Sequence, residues 1–186
     1  MRLSIFLFLL IAISCNEASQ TPTPPATTPT PWPEDATKMD TSAAKTTSDE
    51  IKYDKYCNGR FGYCIEYMAG VFNPQPESDN GDGRIFTSSN DEETLRVYGA
   101  LNLDAEGYNI PLEKKFKMDQ ATYGSSISYK KLGNDFFVIS GEKKGKLYYQ
   151  KTIGTPESFY TSVLLLDKEN SETFKLQSEK IFETFK

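Results

Sequence analysis

Residues 60–67 read RFGYCIEY, which sets Phe61, Tyr63, Ile65 and Tyr67 at every second position. A two-residue period puts all four on one face of a strand with a single buried side. Residues 68–83 break the pattern with Asn73, Pro74, Pro76, Asn80 and Gly81 and read as a long, turn-rich connection. Two further strands are expected at 84–88 and 94–101, joined as a hairpin. Pro111 suits a first helical turn, and Leu112, Phe116 and Tyr123 follow near helical spacing. Four strand patterns then come in quick succession, at 125–132, 136–141, 146–153 and 159–166. The connections at 133–135 and 142–145 are short, so the neighbours they join pair antiparallel. Residues 171–186 read as an amphipathic helix, capped by Ser171, with Phe174, Ile181, Phe182 and Phe185 on one face. Lys180 and Lys186 suit the negative end of its dipole. About seven strands and at least two helices in this order predict an α+β domain on an antiparallel sheet.

The first fifty residues follow other rules. Arg2 precedes an unbroken apolar run from Ile5 to Ile13, about nine residues, which fits the core of an export signal. A membrane span needs roughly 20 such residues. The run ends in Ala12-Ile13-Ser14-Cys15, which resembles the lipobox of bacterial lipoproteins. That resemblance implies cleavage after Ser14, a diacylglycerol thioether on Cys15 and acylation of the new amino terminus. Two or three acyl chains anchor a protein stably, whereas one does not. Residues 15–50 are dominated by Pro, Thr, Ser and Ala, with Trp32 and Met39 the only large apolar side chains. Such a segment buries too little surface to offset the entropy of ordering and is expected to be a disordered tether. The prolines between Pro22 and Pro33 bias it towards extended polyproline II. The expected organisation is therefore signal peptide 1–14, lipidated linker 15–50 and globular domain 51–186.

Composition narrows the function classes. The 186-residue chain carries a net charge of −5 and contains no histidine. An acidic chain without a basic stripe is a poor candidate for binding nucleic acid, because phosphate contacts need clustered Lys and Arg. Without histidine, neither a Ser-His-Asp nor a Cys-His nucleophile can exist. The sequence also lacks the Gly-x-Ser-x-Gly, Walker A and Cys-x-x-Cys patterns, so no enzyme and no cofactor is expected. Export would place Cys57 and Cys64 where a disulfide persists, and their spacing suits a bridge across a turn at Asn58-Gly59. The alternative is a buried Cys64 beside a free Cys57 thiol.

Two constellations remain as candidate sites. Residues 77–83, ESDNGDG, are dense in oxygen donors, which makes Asp79 and Asp82 the candidate ligands for calcium. Counting alternate positions from Asp79 reaches Gly81 and Gly83, which have no side-chain donors, so a plain turn is the favoured reading. Arg60, Arg84 and Arg96 lie in or at the first three expected strands and could converge on a carboxylate or phosphate. Against this, Asp82, Glu66 and Glu93 stand nearby as ion partners. The lysines of EKKGK and LEKKFK read as solvated turn and helix faces.

The run RFGYCIEYMAGVF, the hairpin RIFTSSNDEETLRVYG, a mid-chain helix, a strand meander and the terminal ETFKLQSEKIFETF together resemble the PsbP-like fold. The resemblance spans roughly residues 57–186. It has Met68-Ala69 where many members carry Tyr-Pro, and Thr184-Phe185 at the closing position. It implies an α/β/α sandwich of a kind that mostly serves non-enzymatic binding or assembly. The expected function is thus a lipid-anchored module in the bacterial cell envelope, in the outer membrane if the cell is diderm. Its expected partners are the membrane, through the anchor, and an envelope protein. The alternatives are a small-ligand or metal-binding lipoprotein and, less favoured, an envelope hydrolase working with paired carboxylates.

Overall fold

The computed structural model describes residues 51–89 and 91–186. The expected signal peptide, the expected lipidation site at Cys15 and the expected linker lie outside the described residues. Nine strands and two α-helices follow in the order β1 (Tyr53–Cys57), β2 (Cys64–Met68), β3 (Asn73–Pro74), β4 (Gly83–Thr87), β5 (Thr94–Leu101), α1 (Leu112–Tyr123), β6 (Ile127–Leu132), β7 (Phe136–Lys143), β8 (Lys146–Gly154), β9 (Ser158–Asp167) and α2 (Ser171–Thr184). Seven of the strands form one antiparallel sheet in the order β3-β4-β5-β9-β8-β7-β6. The expected α+β architecture is present.

The strand expected at 60–67 does not join that sheet. It starts at Cys64 and pairs with β1 in a separate two-stranded hairpin, while the two-residue β3 becomes the sheet's edge. The alternation was nevertheless real: Tyr63, Ile65 and Tyr67 are all buried. They pack with Phe86, Leu95, Leu164, Ile181 and Phe185 into the larger core, on the face that carries α2. A smaller core on the opposite face joins Phe116 of α1 to Phe137, Ile139 and Tyr148. Each helix thus covers one side of the sheet, and the hairpin lies with α2.

Cys57 and Cys64 face each other across β1 and β2 and form a disulfide. The turn between them is wider than the Asn-Gly pair implied. Asn58 N–H donates to Tyr63 O, and the Asn58 side-chain oxygen accepts from the N–H groups of Arg60 and Phe61. Phe61 then lies over Gly99 of β5, where any Cβ would come within 2.5 Å of its ring. Glycine is required there by close approach.

The C-terminal helix differs from expectation in its ends. Asn170 rather than Ser171 occupies the cap position, and neither side chain caps the helix. Phe182 is 44% exposed, while the polar Gln177 is fully buried. Its side-chain oxygen accepts from Met68 N–H at 2.8 Å and its nitrogen donates to Glu66 O at 3.0 Å. At the other end, neither Lys180 nor Lys186 lies in the last turn of the helix. Lys151 of β8 does the capping instead, donating to the carbonyls of Phe182 and Phe185 at 2.8 and 2.9 Å. Lys151 is only 7% exposed, and burial pulls its pKa down.

Replacing Gln177 by Leu leaves Met68 N–H and Glu66 C=O buried without partners. The expected loss is about 2–4 kcal/mol of stability, read as a lower urea midpoint with an unchanged slope.

Candidate functional site

Of the residues the sequence nominated, Asp79 and Asp82 sit in a loop held by its own donors. The Asp82 carboxylate accepts from Ser78 Oγ at 2.6 Å and Asn80 Nδ2 at 2.9 Å. These two bonds, led by Ser78, and the nearby Arg60 hold its pKa below the usual carboxylate range, against a smaller opposing effect of burial. Asn58, almost wholly buried, ties this loop to the β1–β2 hairpin by donating to Glu77 Oε1 and Gly81 O. Tyr56 also donates to Glu77, at 2.6 Å. Among the described residues, no group of three or more His, Cys, Asp or Glu side chains is placed to hold a metal ion.

The three arginines do not converge on one point, although Arg84 and Arg96 both border one concavity. Arg60 donates to Asn80 O and lies over the Phe61 ring. Register separates the other two: Arg84 pairs with Val97, whereas Arg96 pairs with Ile85. Successive strand residues point to opposite faces, so Arg84 lies on the α2 side, over the Tyr56 ring, and Arg96 on the α1 side. Their expected ion partners are otherwise engaged. Glu93 accepts from Asp167 N–H and Asn170 Nδ2, and Glu66 faces Lys180 at 4.0 Å.

Following the register across the α1 face of the sheet reveals a different site. One row runs Ile85, Arg96, Val163, Gln150 and Ile139; the next runs Thr87, Thr94, Leu165, Tyr148 and Gly141. Helix α1 packs over β6 and β7 and leaves the β4-β5-β9 half of this face uncovered. The uncovered half forms an open groove of about 770 Å³ floored by Val163 and Leu165. It continues into a second concavity of about 660 Å³ beyond Arg96 and Tyr98.

The groove's walls are aromatic and cationic. Tyr123 of α1 stacks on Tyr148 with ring centres 4.3 Å apart and donates to Gln150 Oε1 at 2.8 Å. Gln150 in turn donates to Asp119 at 2.6 Å, which closes a polar network beneath the helix. Burial pushes the pKa of Tyr123 up, reinforced by Tyr98 and Asp119, and burial also raises that of Tyr98. Both phenols are therefore neutral hydrogen-bond groups at neutral pH.

The cations come from Arg96 and from the turn between β7 and β8, where Lys144 and Gly145 both have positive φ, 54° and 79°. A two-residue turn of that kind matches the strand twist and sets its flanking residues directly opposite each other. Those flanking residues are Lys143 and Lys146. Lys146 is compensated by Asp167 at 2.7 Å, which raises its pKa. Arg96, Lys143 and Lys144 have no ionic partner among the described residues; no described carboxylate lines the groove itself, while Asp82 and Asp91 line the adjoining concavity beyond Arg96. In the sequence these lysines read as a solvated turn, and no local pattern singles out the tyrosines. Their shared face becomes visible only once register is known.

No protein-family model matches the sequence, and no curated protein matches it. Among solved structures, the solution structure of cyanobacterial PsbP (CyanoP) from Synechocystis sp. PCC 6803 is similar, with a TM-score of 0.52 at 10% identity. The match covers 77% of this chain and 97% of that one. The fold is PsbP-like. At this identity the PsbP-like likeness speaks for architecture alone.

The Asp82 loop has a defined acid response. Its carboxyl pKa is lower in the folded state, so the loop is fully supported above about pH 4, the ordinary carboxyl range. That support is lost as acid takes the pH through the lower folded value. Exchange of the Asp82 and Gly83 amides, which bond Ser78 Oγ, should accelerate over this window relative to the sheet amides. In Asp82→Asn the acid step should vanish.

Proposed function

We propose that this chain is an exported lipoprotein, held to a bacterial membrane through acylated Cys15, whose PsbP-like domain is a non-catalytic binding module of the cell envelope. The observation that carries the binding role is the half-covered sheet face. A sheet side that packs a helix over only part of its width leaves Val163, Leu165 and Tyr98 partly exposed beside uncompensated cations. Exposed apolar and aromatic surface rimmed by polar groups marks an interaction site. Carboxylate-based hydrolysis would need an acid kept protonated near neutral pH. Among the described residues, the carboxyl groups with displaced pKa values, Asp82 and Glu113, are both shifted the other way.

An envelope protein partner is one use for such a face. A small ligand is the second, and it draws on concavity: about 770 Å³ lies within the size range of small-molecule sites. In either case the tether of residues 15–50 would hold the domain away from the lipid surface.

Anchoring is tested by fractionation. Cys15→Ala should move the protein from the membrane fraction to the soluble fraction of the expressing cells; retention in the membrane would defeat the lipoprotein reading.

A further inference from the structure

We propose that the groove over Val163 and Leu165 binds a phosphate monoester carrying a planar ring. The inference rests on reading the domain as a binding module with this groove as its site. Charge is the first argument. In a chain of net charge −5, four cations line this one concavity. Three of them, Arg96, Lys143 and Lys144, lack counter-ions among the described residues. Lys143 and Lys144 stand beside Lys146, whose own charge Asp167 already balances. A phosphate monoester carries about −1.5 to −2 charges at neutral pH and matches the three uncompensated cations better than a single carboxylate.

Placement supplies the second argument. Arg96 projects from β5, where its backbone is held by pairing on both sides, to Ile85 and Val163. Its guanidinium is suited to gripping a phosphate with two parallel bonds. Lys143 and Lys144, at the β7–β8 turn, add point charges for the remaining oxygens.

Shape supplies the third. Between Arg96 on β5 and Tyr148 on β8 lies one intervening strand, so the floor between them is about 10 Å wide. Val163 and Leu165 occupy that floor, with the phenols of Tyr98 and Tyr123 at its margins. Two aliphatic side chains flanked by tyrosines accommodate one flat ring. The adjoining concavity carries Asp82 and Asp91 beside Ile85 and Val97, and covering those carboxylates with an acyl chain would be costly, which argues for a soluble ester over a lipid phosphate.

The test is calorimetric titration of the full chain in neutral detergent. The probes are 1-naphthyl phosphate, 1-naphthol, inorganic phosphate and dihexanoyl phosphatidic acid. The expected result is that 1-naphthyl phosphate binds and that each of the other three binds at least about tenfold more weakly. Arg96→Met, and Lys143→Gln combined with Lys144→Gln, should each weaken 1-naphthyl phosphate by about tenfold. Their thermal midpoints should not move, because all three side chains are exposed. Equal binding of 1-naphthol would overturn the anion class while leaving the groove a binding site. Tighter binding of dihexanoyl phosphatidic acid would overturn the ring-bearing ester. Unchanged affinity in Arg96→Met would overturn the assignment to this groove. Absence of binding by every probe would overturn the inference and the small-ligand reading together, and would leave the Cys15 fractionation result standing.

Discussion

The outer edge of β2 governs the arrangement of this domain. The strand has a single partner, β1, so its other edge presents backbone groups that would be buried without partners beneath α2. The C-terminal helix meets that edge group by group. Gln177 serves Met68 N–H and Glu66 O, the Thr184 hydroxyl accepts from Glu66 N–H, and the Lys186 backbone exchanges two hydrogen bonds with Cys64. A helix thereby covers a strand edge that would otherwise invite pairing with another chain. Phe185, carried along, packs edge-on against Tyr63 in the larger core. Thr184-Phe185 thus has two separable tasks, one polar and one apolar.

This docking has a consequence on the far side of the helix. Drawing the C-terminal turn of α2 down onto β2 and β8 removes its last carbonyls from water, and they need donors. Lys151 supplies them from β8, at the expense of burying a cation between Phe136 and Phe182. A buried ammonium is tolerated because its protons meet carbonyls and its charge meets aromatic faces. With α2 and the hairpin committed to one face of the sheet, α1 alone covers the other. Its twelve residues span about 18 Å, too little for seven strands at roughly 4.8 Å spacing. The open groove is thus a geometric consequence of the same commitment.

How much of this was legible in the sequence depends on the range of each interaction. The strands at 94–101 and 146–153 were readable within a residue or so because alternation is a local signal, and so were both helices. Strand β1 was missed: its pattern in YDKYC buries only Tyr56, which leaves no period to detect. Gln177 could not be recognised as core, since an amide on a helix reads as surface until its two backbone partners are known. Tyr63, Ile65 and Tyr67 were correctly expected to be buried, but not in the correct sheet. Alternation reports that a face is covered and says nothing about what covers it.

By itself, the sequence determined the apolar run Ile5–Ile13 leading into Ser14-Cys15, the lack of any histidine, the order of most elements and the candidacy of Cys57 and Cys64 for a disulfide. These follow from composition and from spacing between near neighbours, which the chain carries whatever its fold. Only the tertiary structure decided that Arg84 and Arg96 face opposite sides, that Lys143 and Lys146 stand opposed, and that three tyrosines join Arg96 around one groove. A strand's side chains switch faces with a one-residue change of register, and register is set by contacts between residues far apart in the chain. The candidate site is built from such contacts, drawn from β5, β8, β9 and α1, and so no local pattern announces it.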